Sequence, residues 1–341
     1  MSFKKKFLVT GGAGFIGSHL VRVLLSQRHS DVIVIDDFSN GYLDNFLGIH
    51  ESDFKLVKQS ILDVNLVELM EGVDAVFHFA AISSLPECQA NPIQAIRVNV
   101  EGTARVLEAA RRSRVRRVIF ASTSAVYENC SPPFSETQQV KPDLIYSWSK
   151  HCCESLCNSY HLNYGLDVVI SRFFNVYGPA QNHRRTSPPF TSYLIRTLLN
   201  GETPTIYNLS QIKRDYIFVT DLLDLVIALS EFPDYLGGEI FNLGSGQGYS
   251  ALEILEIASE LTKHDGSYVS AIHEKFWEKY PELYEGLSLD SSRLEREIFK
   301  LSLCDPYKIQ SFTGIKPKYS MYEGLKAMVG STNDSDFRIQ G

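Results

Sequence analysis

A chain of 341 residues, 44% of them hydrophobic, can bury a full core and suits one large domain or two intimately joined ones. Its formal net charge of -7 leaves no basic footprint for nucleic acid, and its composition indicates neither disorder nor a membrane span. The six cysteines fall in no C-x-x-C pair, as expected of free thiols in a reducing compartment.

The first apolar run predicts a strand over 7–9, too short after Lys4 and Lys6 for a secretory signal, so a cytoplasmic protein is expected. It runs into Gly11, Gly14 and Gly17 at G-x-x-G-x-x-G spacing and then an amphipathic helix carrying Leu20, Val23 and Leu24. Such glycines serve a tight turn, backbone approach to a pyrophosphate, and close packing of helix on strand. The helix N-terminus then meets the phosphate with unpaired N–H groups. A second run, 32–35, ends in Asp36-Asp37, about 20 residues on, where a dinucleotide fold places the carboxylate for the adenosine ribose. Asp36 would repel a 2'-phosphate, which selects NAD over NADP.

Further strands are predicted over 54–58, 75–79, 118–121 and 168–172, separated by helical stretches that include 92–112 and 148–164. This alternation implies a parallel, doubly wound α/β sheet with right-handed crossovers and ligands at the carboxyl ends of its strands. Arg111, Arg112, Arg114, Arg116 and Arg117 read as a solvated helix end leading into a strand. Tyr146 and Lys150 stand four apart on the helical stretch, hence on one face, with Thr123 shortly upstream in S-T-S-A-V-Y. An ammonium beside the phenol, with a positively charged cofactor as a second cation, could lower a tyrosine pKa from near 10 by roughly three units, about 4 kcal/mol. The same spacing recurs by chance on surface helices, and it is the surrounding strands and glycine turn that give it weight.

Cys153, Cys157 and His161 recur at i, i+4 and i+8 on this helix, which could be mistaken for a metal face. One helix offers ligands in a line, so buried free thiols are the expected alternative and no metal is predicted. Beyond Arg172 the pattern loosens into loops, a helix over 190–200, a strand over 205–207 and the run R-D-Y-I-F-V. The expected division is a dinucleotide-binding domain over 1–175 to which 215–245 returns, a smaller interleaved α/β substrate-binding region from 176–214 and 246–330, and a tail over 331–341.

The ordered motifs T-G-G-A-G-F-I-G, V-F-H-F-A-A, N-V-E-G-T, S-T-S-A-V-Y, Y-S-W-S-K, R-F-F-N-V-Y-G-P, R-D-Y-I-F-V-T-D-L and F-N-L-G-S-G resemble the extended short-chain dehydrogenase/reductase family. Within it they are similar to NAD-dependent nucleotide-sugar epimerases and dehydratases. The resemblance implies a Rossmann fold with Tyr146 as catalytic base, Lys150 lowering its pKa and bonding the nicotinamide ribose, and Thr123 hydrogen-bonded to the reacting hydroxyl. It implies NAD contacts from Gly11, Gly14, Phe15, Ile16 and Gly17, from Asp36, Asp37, Ser39, Asn40 and Gly41, and from Ser60 and Ile61. Phe79, Ala80, Ala81, Asn99, Ser122 and Phe173 complete that cofactor set with Tyr146 and Lys150. Ser83, Thr123, Ser124, Tyr146, Asn175, Tyr207, Arg214, Ser302 and Asp305 are the implied substrate contacts, Arg214 neutralising a diphosphate and Tyr207 flanking the nucleotide base. The chain departs from the family's Gly-Asp-Ile at Gln59-Ser60-Ile61, from its glycine after Val-Tyr at Glu128, and from its Arg-x-Gly-Asp run before Asp305.

Where the resemblance places the acid and base of dehydratases, or the Glu of decarboxylases, this chain has Ser124-Ala125. The expected activity is therefore a nucleotide-sugar 4-epimerase, UDP-glucose/UDP-galactose or the N-acetyl pair, acting through a transient 4-keto sugar. A 4,6-dehydratase or other sugar-nucleotide oxidoreductase and a non-catalytic NAD-binding sensor are the alternatives. Counting three residues back from Asp305 gives Ser302, a small residue at a gate that would admit N-acetyl groups, unless the longer preceding segment shifts the register. The resemblance also implies a homodimer through 92–112 and 148–164, although the same apolar spacing suits a helix covering its own sheet.

Overall fold

The computed structural model describes residues 5–27, 30–207, 212–271 and 276–332. The strands are β1 (Lys5–Thr10), β2 (Ser30–Ile35), β3 (Lys55–Val57), β4 (Ala75–His78), β5 (Arg117–Thr123) and β6 (Val168–Phe173). They are followed by β7 (Asn175–Tyr177), β8 (Thr205–Ile206), β9 (Arg214–Phe218), β10 (Ile240–Leu243), β11 (Gly248–Tyr249) and β12 (Val269–Ser270). Seven strands form one sheet in the order β10-β6-β5-β4-β1-β2-β3, every pair parallel. This is the Rossmann α/β arrangement, and the direction of strand order reverses between β1 and β4, the place where such sheets open a crevice at their carboxyl ends.

Both faces of the sheet are covered, which is why its strands read as nearly continuous apolar runs. Successive side chains point to opposite faces. Phe7 and Val9 of β1 join one core with Leu20, Leu24, Phe77 and Val226, while Leu8 joins the other with Val76, Phe120, Leu107 and Cys153. Cys157 is buried in that second core as well, whereas His161 Nδ1 meets the Tyr235 hydroxyl at 2.7 Å.

The stretch expected as one helix over 92–112 is three consecutive pieces: Pro92–Ile96, a π-helical turn Arg97–Glu101, and Gly102–Arg112. Such widened turns are rare and occur frequently at functional sites. This one carries Asn99. Beyond β6 the chain makes an excursion in which β7 and β11 flank β9 in a small sheet and β12 pairs with β8. It returns through the helix Val219–Glu231, which packs on β5, to add β10 at the edge of the main sheet.

Arg117 ties this return to the main sheet. Its side chain is 1% exposed, pairs with Asp167 at 2.6 Å, and donates to the carbonyls of Leu229, Phe232 and Asp234. Arg117→Met removes one partner of a buried ion pair and leaves the other desolvated, so a loss of about 3–5 kcal/mol is expected in urea denaturation. A loss below about 1 kcal/mol, the range of an exposed pair, would contradict this account.

Candidate active site

The glycine turn leaves β1 with Gly11 in the left-handed region, φ +71°, against the start of the loop after β4. A Cβ there would come within 2.7 Å of Ala80 N, and one on Gly17 would collide with Gly11 O. The helix Phe15–Ser26 starts at Gly14 with no side-chain cap, so its first-turn N–H groups remain for an anion. Asp36 Oδ2 accepts Ala13 N at 2.9 Å and Oδ1 accepts Phe38 N at 2.8 Å. Burial pushes the Asp36 carboxyl up, and these N–H groups oppose that shift. Asp37 accepts both Ser39 N and Ser39 Oγ, and a Cβ on Gly41 would meet Ala13 Cβ at 2.8 Å. A cradle this tight, backed by a buried carboxylate, fits the pyrophosphate and ribose of NAD.

From this cradle a cavity of about 1090 Å³ runs past the end of β5 to the excursion. Along it lie Gly11, Gly14, Phe15, Ile16, Gly17, Asp36, Asp37, Ser39, Asn40 and Gly41. Ser60, Ile61, Phe79, Ala80, Ala81, Ser122, Thr123, Tyr146, Lys150 and Phe173 line it too. Ser60 Oγ accepts Leu62 N at 3.2 Å, and the Phe79 and Phe173 rings meet edge to face at 5.7 Å. Ser122 Oγ is turned to Glu154 Oε1 at 2.5 Å.

Thr123 ends β5, and Tyr146 is the second residue of the helix Ile145–Tyr164. Thr123 Oγ1 accepts Ala125 N at 3.1 Å, and its side chain hydrogen-bonds the Tyr146 phenol. Burial pushes that phenol up to about 12; the Thr123 hydrogen bond and the positive charge of Arg185 pull it down. Lys150 Nζ donates to Ala121 O at 2.8 Å, beside the Phe120 ring. Burial also lowers the Lys150 ammonium. His78, buried and near Lys150, is pushed down to about 3 and is therefore neutral, bridging the Thr10 and Thr103 hydroxyls.

At the substrate end Ser83, Asn175, Tyr207 and Arg214 line the cavity. Asn175 Nδ2 donates to Asp215 O at 2.6 Å, and the Tyr207 ring meets Phe276 at 5.4 Å. Four expected residues lie off the cavity wall. Asn99 is buried behind it, its amide clamping Ile82 N and O and reaching Ser149 Oγ at 3.1 Å. Ser124 follows Thr123 into a 3-10 turn. Ser302 is fixed beside Arg214 by backbone bonds to Lys213 O and Asp215 N. Asp305 lies on a separate surface pocket with Glu136, Glu239 and Lys308, and its Oδ1 accepts Tyr307 N at 3.0 Å within its own turn.

The sequence reading missed Arg185, Phe276, Trp277 and Tyr280, all on the cavity wall. The H-R-R and F-W-E-K-Y runs hold the only local signal for them. Arg185 Nη1 lies 3.4 Å from Ser83 Oγ, and its Nε is buried without a hydrogen-bond partner.

A glycine cradle for a dinucleotide, Asp36 after β2, and Thr123, Tyr146 and Lys150 at the strand ends define an NAD-dependent enzyme of the extended short-chain dehydrogenase/reductase class. Residues 7–244 match the NAD dependent epimerase/dehydratase family, and the chain belongs to it. It is 33% identical to the UDP-N-acetyl-alpha-D-glucosaminuronate decarboxylase of Bacillus cytotoxicus over 96% of this chain and 97% of that protein. Among solved structures, a UDP-N-acetylglucosamine 4-epimerase from Methanobrevibacter ruminantium, in complex with UDP-N-acetylmuramic acid, is 28% identical with a TM-score of 0.85, over 98% of this chain and 100% of that one. The UDP-glucuronic acid 4-epimerase of Bacillus cereus, in complex with UDP-glucuronic acid and NAD, is 27% identical with a TM-score of 0.82, over 96% and 99%. The protein is thus an NAD-dependent enzyme of the nucleotide-sugar epimerase and decarboxylase group.

Gly11→Ala places a side chain on a left-handed backbone and against Ala80 N. NAD affinity is expected to fall by more than about tenfold, a differential of about 1.4 kcal/mol, in calorimetric titration. Unchanged affinity would show that the turn does not carry the pyrophosphate.

Proposed function

We propose that the protein is an NAD-dependent 4-epimerase of UDP-sugars. The observation that carries this reading is the turn after Thr123: Ser124 leaves the cavity, and Ala125 packs with Tyr146 and Cys88 in a small apolar cluster. Neither supplies the carboxylate that elimination or decarboxylation needs from this stretch. Tyr146 takes the proton of the sugar hydroxyl while Thr123 shares the hydrogen bond, and base and hydroxyl must be held together for proton and hydride to leave at nearly the same moment. NAD, when bound, supplies the acceptor and later the donor of that hydride. Lys150, fixed on Ala121 O, is placed to hold the cofactor's ribose, and Arg214 answers the diphosphate. UDP is favoured because the compared structures are complexes with UDP-sugars.

Arg185 favours a sugar that carries a carboxylate. A buried guanidinium nitrogen without a partner costs free energy unless a ligand supplies an acceptor, and the charge of this guanidinium reaches Tyr146. The B. cereus 4-epimerase bound to UDP-glucuronic acid and the B. cytotoxicus uronate decarboxylase support the same choice. An N-acetyl preference draws nothing from Ser302, which is off the cavity wall. A homodimer through 92–112 and 148–164 belongs to this reading, since Ile93 is exposed on the first stretch and Trp148, Leu162 and Tyr164 on the second.

Incubation with UDP-glucose, UDP-N-acetylglucosamine, UDP-glucuronic acid and UDP-N-acetylglucosaminuronic acid tests both statements by chromatography of the products. Interconversion of 4-epimers is expected, fastest for an acidic sugar, with Tyr146→Phe slower by about 10²-fold or more, the usual range for a lost acid–base group. Arg185→Met should cut the acidic sugar's kcat/KM at least about tenfold and spare the neutral ones, since hydrogen bonds to charged groups are worth about 1.5–3 kcal/mol. Release of carbon dioxide or a 4-keto product in place of the 4-epimer would sink the epimerase reading.

The hydrogen bond from Thr123 lowers the Tyr146 pKa, so removing it must raise that pKa and shrink the phenolate fraction at neutral pH. In Thr123→Val the ascending limb of the kcat/KM profile is expected to move up by about one pH unit, the worth of one hydrogen bond of about 1.4 kcal/mol. A limb that stays in place would remove Thr123 from this role.

A further inference from the structure

The helix Ile145–Tyr164 has no side-chain cap of its own, because Leu144 at its N-cap offers no polar group. Two residues outside the helix meet the need, and the first of them, Gln89, accepts Ile145 N on its Oε1 at 3.2 Å. Glu128 Oε1 accepts Asp143 N at 2.6 Å, Leu144 N at 3.2 Å and Ser147 Oγ at 2.8 Å. Its side chain is 2% exposed, and its other oxygen receives Arg293 of the helix Ser291–Ile298. Arg293 Nε in turn holds Asp143 Oδ1 at 2.7 Å.

The same short helix reaches the cavity. Glu297 and Ile298 line it, and the Glu297 carbonyl receives the Arg214 guanidinium. Leu294 packs with Trp277 and Leu283 against Leu144, so the apolar contacts run alongside the charged ones. One buried carboxylate therefore joins the turn that follows Thr123, the first turn of the helix that carries Tyr146, and the segment that walls the substrate end. A negative charge at this helix N-terminus is also favoured by the helix dipole.

We propose that Glu128 is a positioning residue for Tyr146, seated by Arg293, so that docking of the segment 276–298 at the substrate end and placement of the phenol are one coupled event. The proposal rests on Tyr146 being the base. A phenol on the second residue of a helix moves with the helix start, and small misplacements of a reacting group cost up to about 10²-fold in rate. Glu128→Gln can keep its one oxygen on the N–H groups only by turning its NH2 donor toward Arg293, whereas Arg293→Met removes the seat and leaves the carboxylate.

The test is amide hydrogen exchange on the NAD-loaded full chain, followed at 141–150 and 276–300 and, as a reference, along the helix Val219–Glu231, together with kcat and KM for a sugar that the wild type converts. Arg293→Met is expected to speed exchange at Asp143 and Leu144 by about tenfold or more, the effect of losing support from a charged hydrogen bond, while the reference helix keeps its protection. In Glu128→Gln, kcat should fall by about tenfold with KM within about threefold, the pattern of a misplaced base and not of lost ground-state binding. Arg293→Lys, which retains the charge without the two-sided fork, should recover part of the loss. The proposal is overturned if residues 143–147 stay protected in Arg293→Met, if the reference helix loosens equally, or if kcat is unchanged in Glu128→Gln. If the wild type converts no UDP-sugar, the epimerase reading falls, and the exchange measurement still decides the coupling.

Discussion

The site depends on keeping a phenol and an ammonium dry. Burial works against the charged form of each, raising Tyr146 to about 12 and lowering Lys150, so the neighbours must return what desolvation takes away. Lys150 is held by one carbonyl and one ring, Ala121 O and Phe120, and Tyr146 by the Thr123 hydroxyl and the distant charge of Arg185. His78 is part of this arrangement. Its neutral ring, held between two threonine hydroxyls and beside the Phe120 ring, adds no second positive charge near Lys150. In so little water each remaining charge acts over a longer range, which is why a cation bound beside Tyr146 would count for more than on a surface.

The sheet supplies the geometry that this dryness requires. Thr10 ends β1, and its hydroxyl accepts the N–H groups of both Phe79 and Ala80, locking the loop after β4 against the glycine turn. Thr123 and Phe173 end β5 and β6 in register with each other. Cofactor cradle and reacting hydroxyl site are thus set by adjacent strand ends of one rigid layer. The π-helical turn at Asn99 extends this control, because its amide pins Ile82 and Ser149, one on the loop after β4 and the other on the helix of Tyr146.

Which parts of this could be read from the sequence follows from the range of the constraints. The glycine turn, Asp36 and Tyr146 with Lys150 are set by spacing within one strand, turn or helix, and the structure gathers them along one cavity. Asn99 was named, but not the widened turn that carries it, because a single π turn leaves the apolar period of 92–112 almost intact. The carbonyl that receives Lys150 was not legible either: helical spacing puts the ammonium on the face of Tyr146, while only the fold brings Ala121 O to it. Arg185, Phe276, Trp277 and Tyr280 belong to loops whose meeting place is fixed by tertiary contacts alone. Asp305 was counted along the chain through a segment of unfamiliar length, and its side chain closes its own turn outside the cavity.

This difference in range separates chemistry from choice of substrate. Thr123 and Tyr146 come from the end of β5 and the helix Ile145–Tyr164, whereas the wall at the far end of the cavity is assembled from residues within 181–207, 212–216 and 276–298. The last two segments are stitched together at Arg214, which opens β9, lies in backbone register with Ser302 and donates to Glu297 O. Relatives that share about a third of the residues include both decarboxylases and a protein named as an epimerase, so one sheet accommodates different reactions and substrates. Here the residue after Ser124 is alanine and the residue after Tyr127 is glutamate. The first packs as a methyl group beside Tyr146 and Cys88. The second is a carboxylate that, through Arg293, joins the helix Ser291–Ile298 to the start of the helix that carries Tyr146.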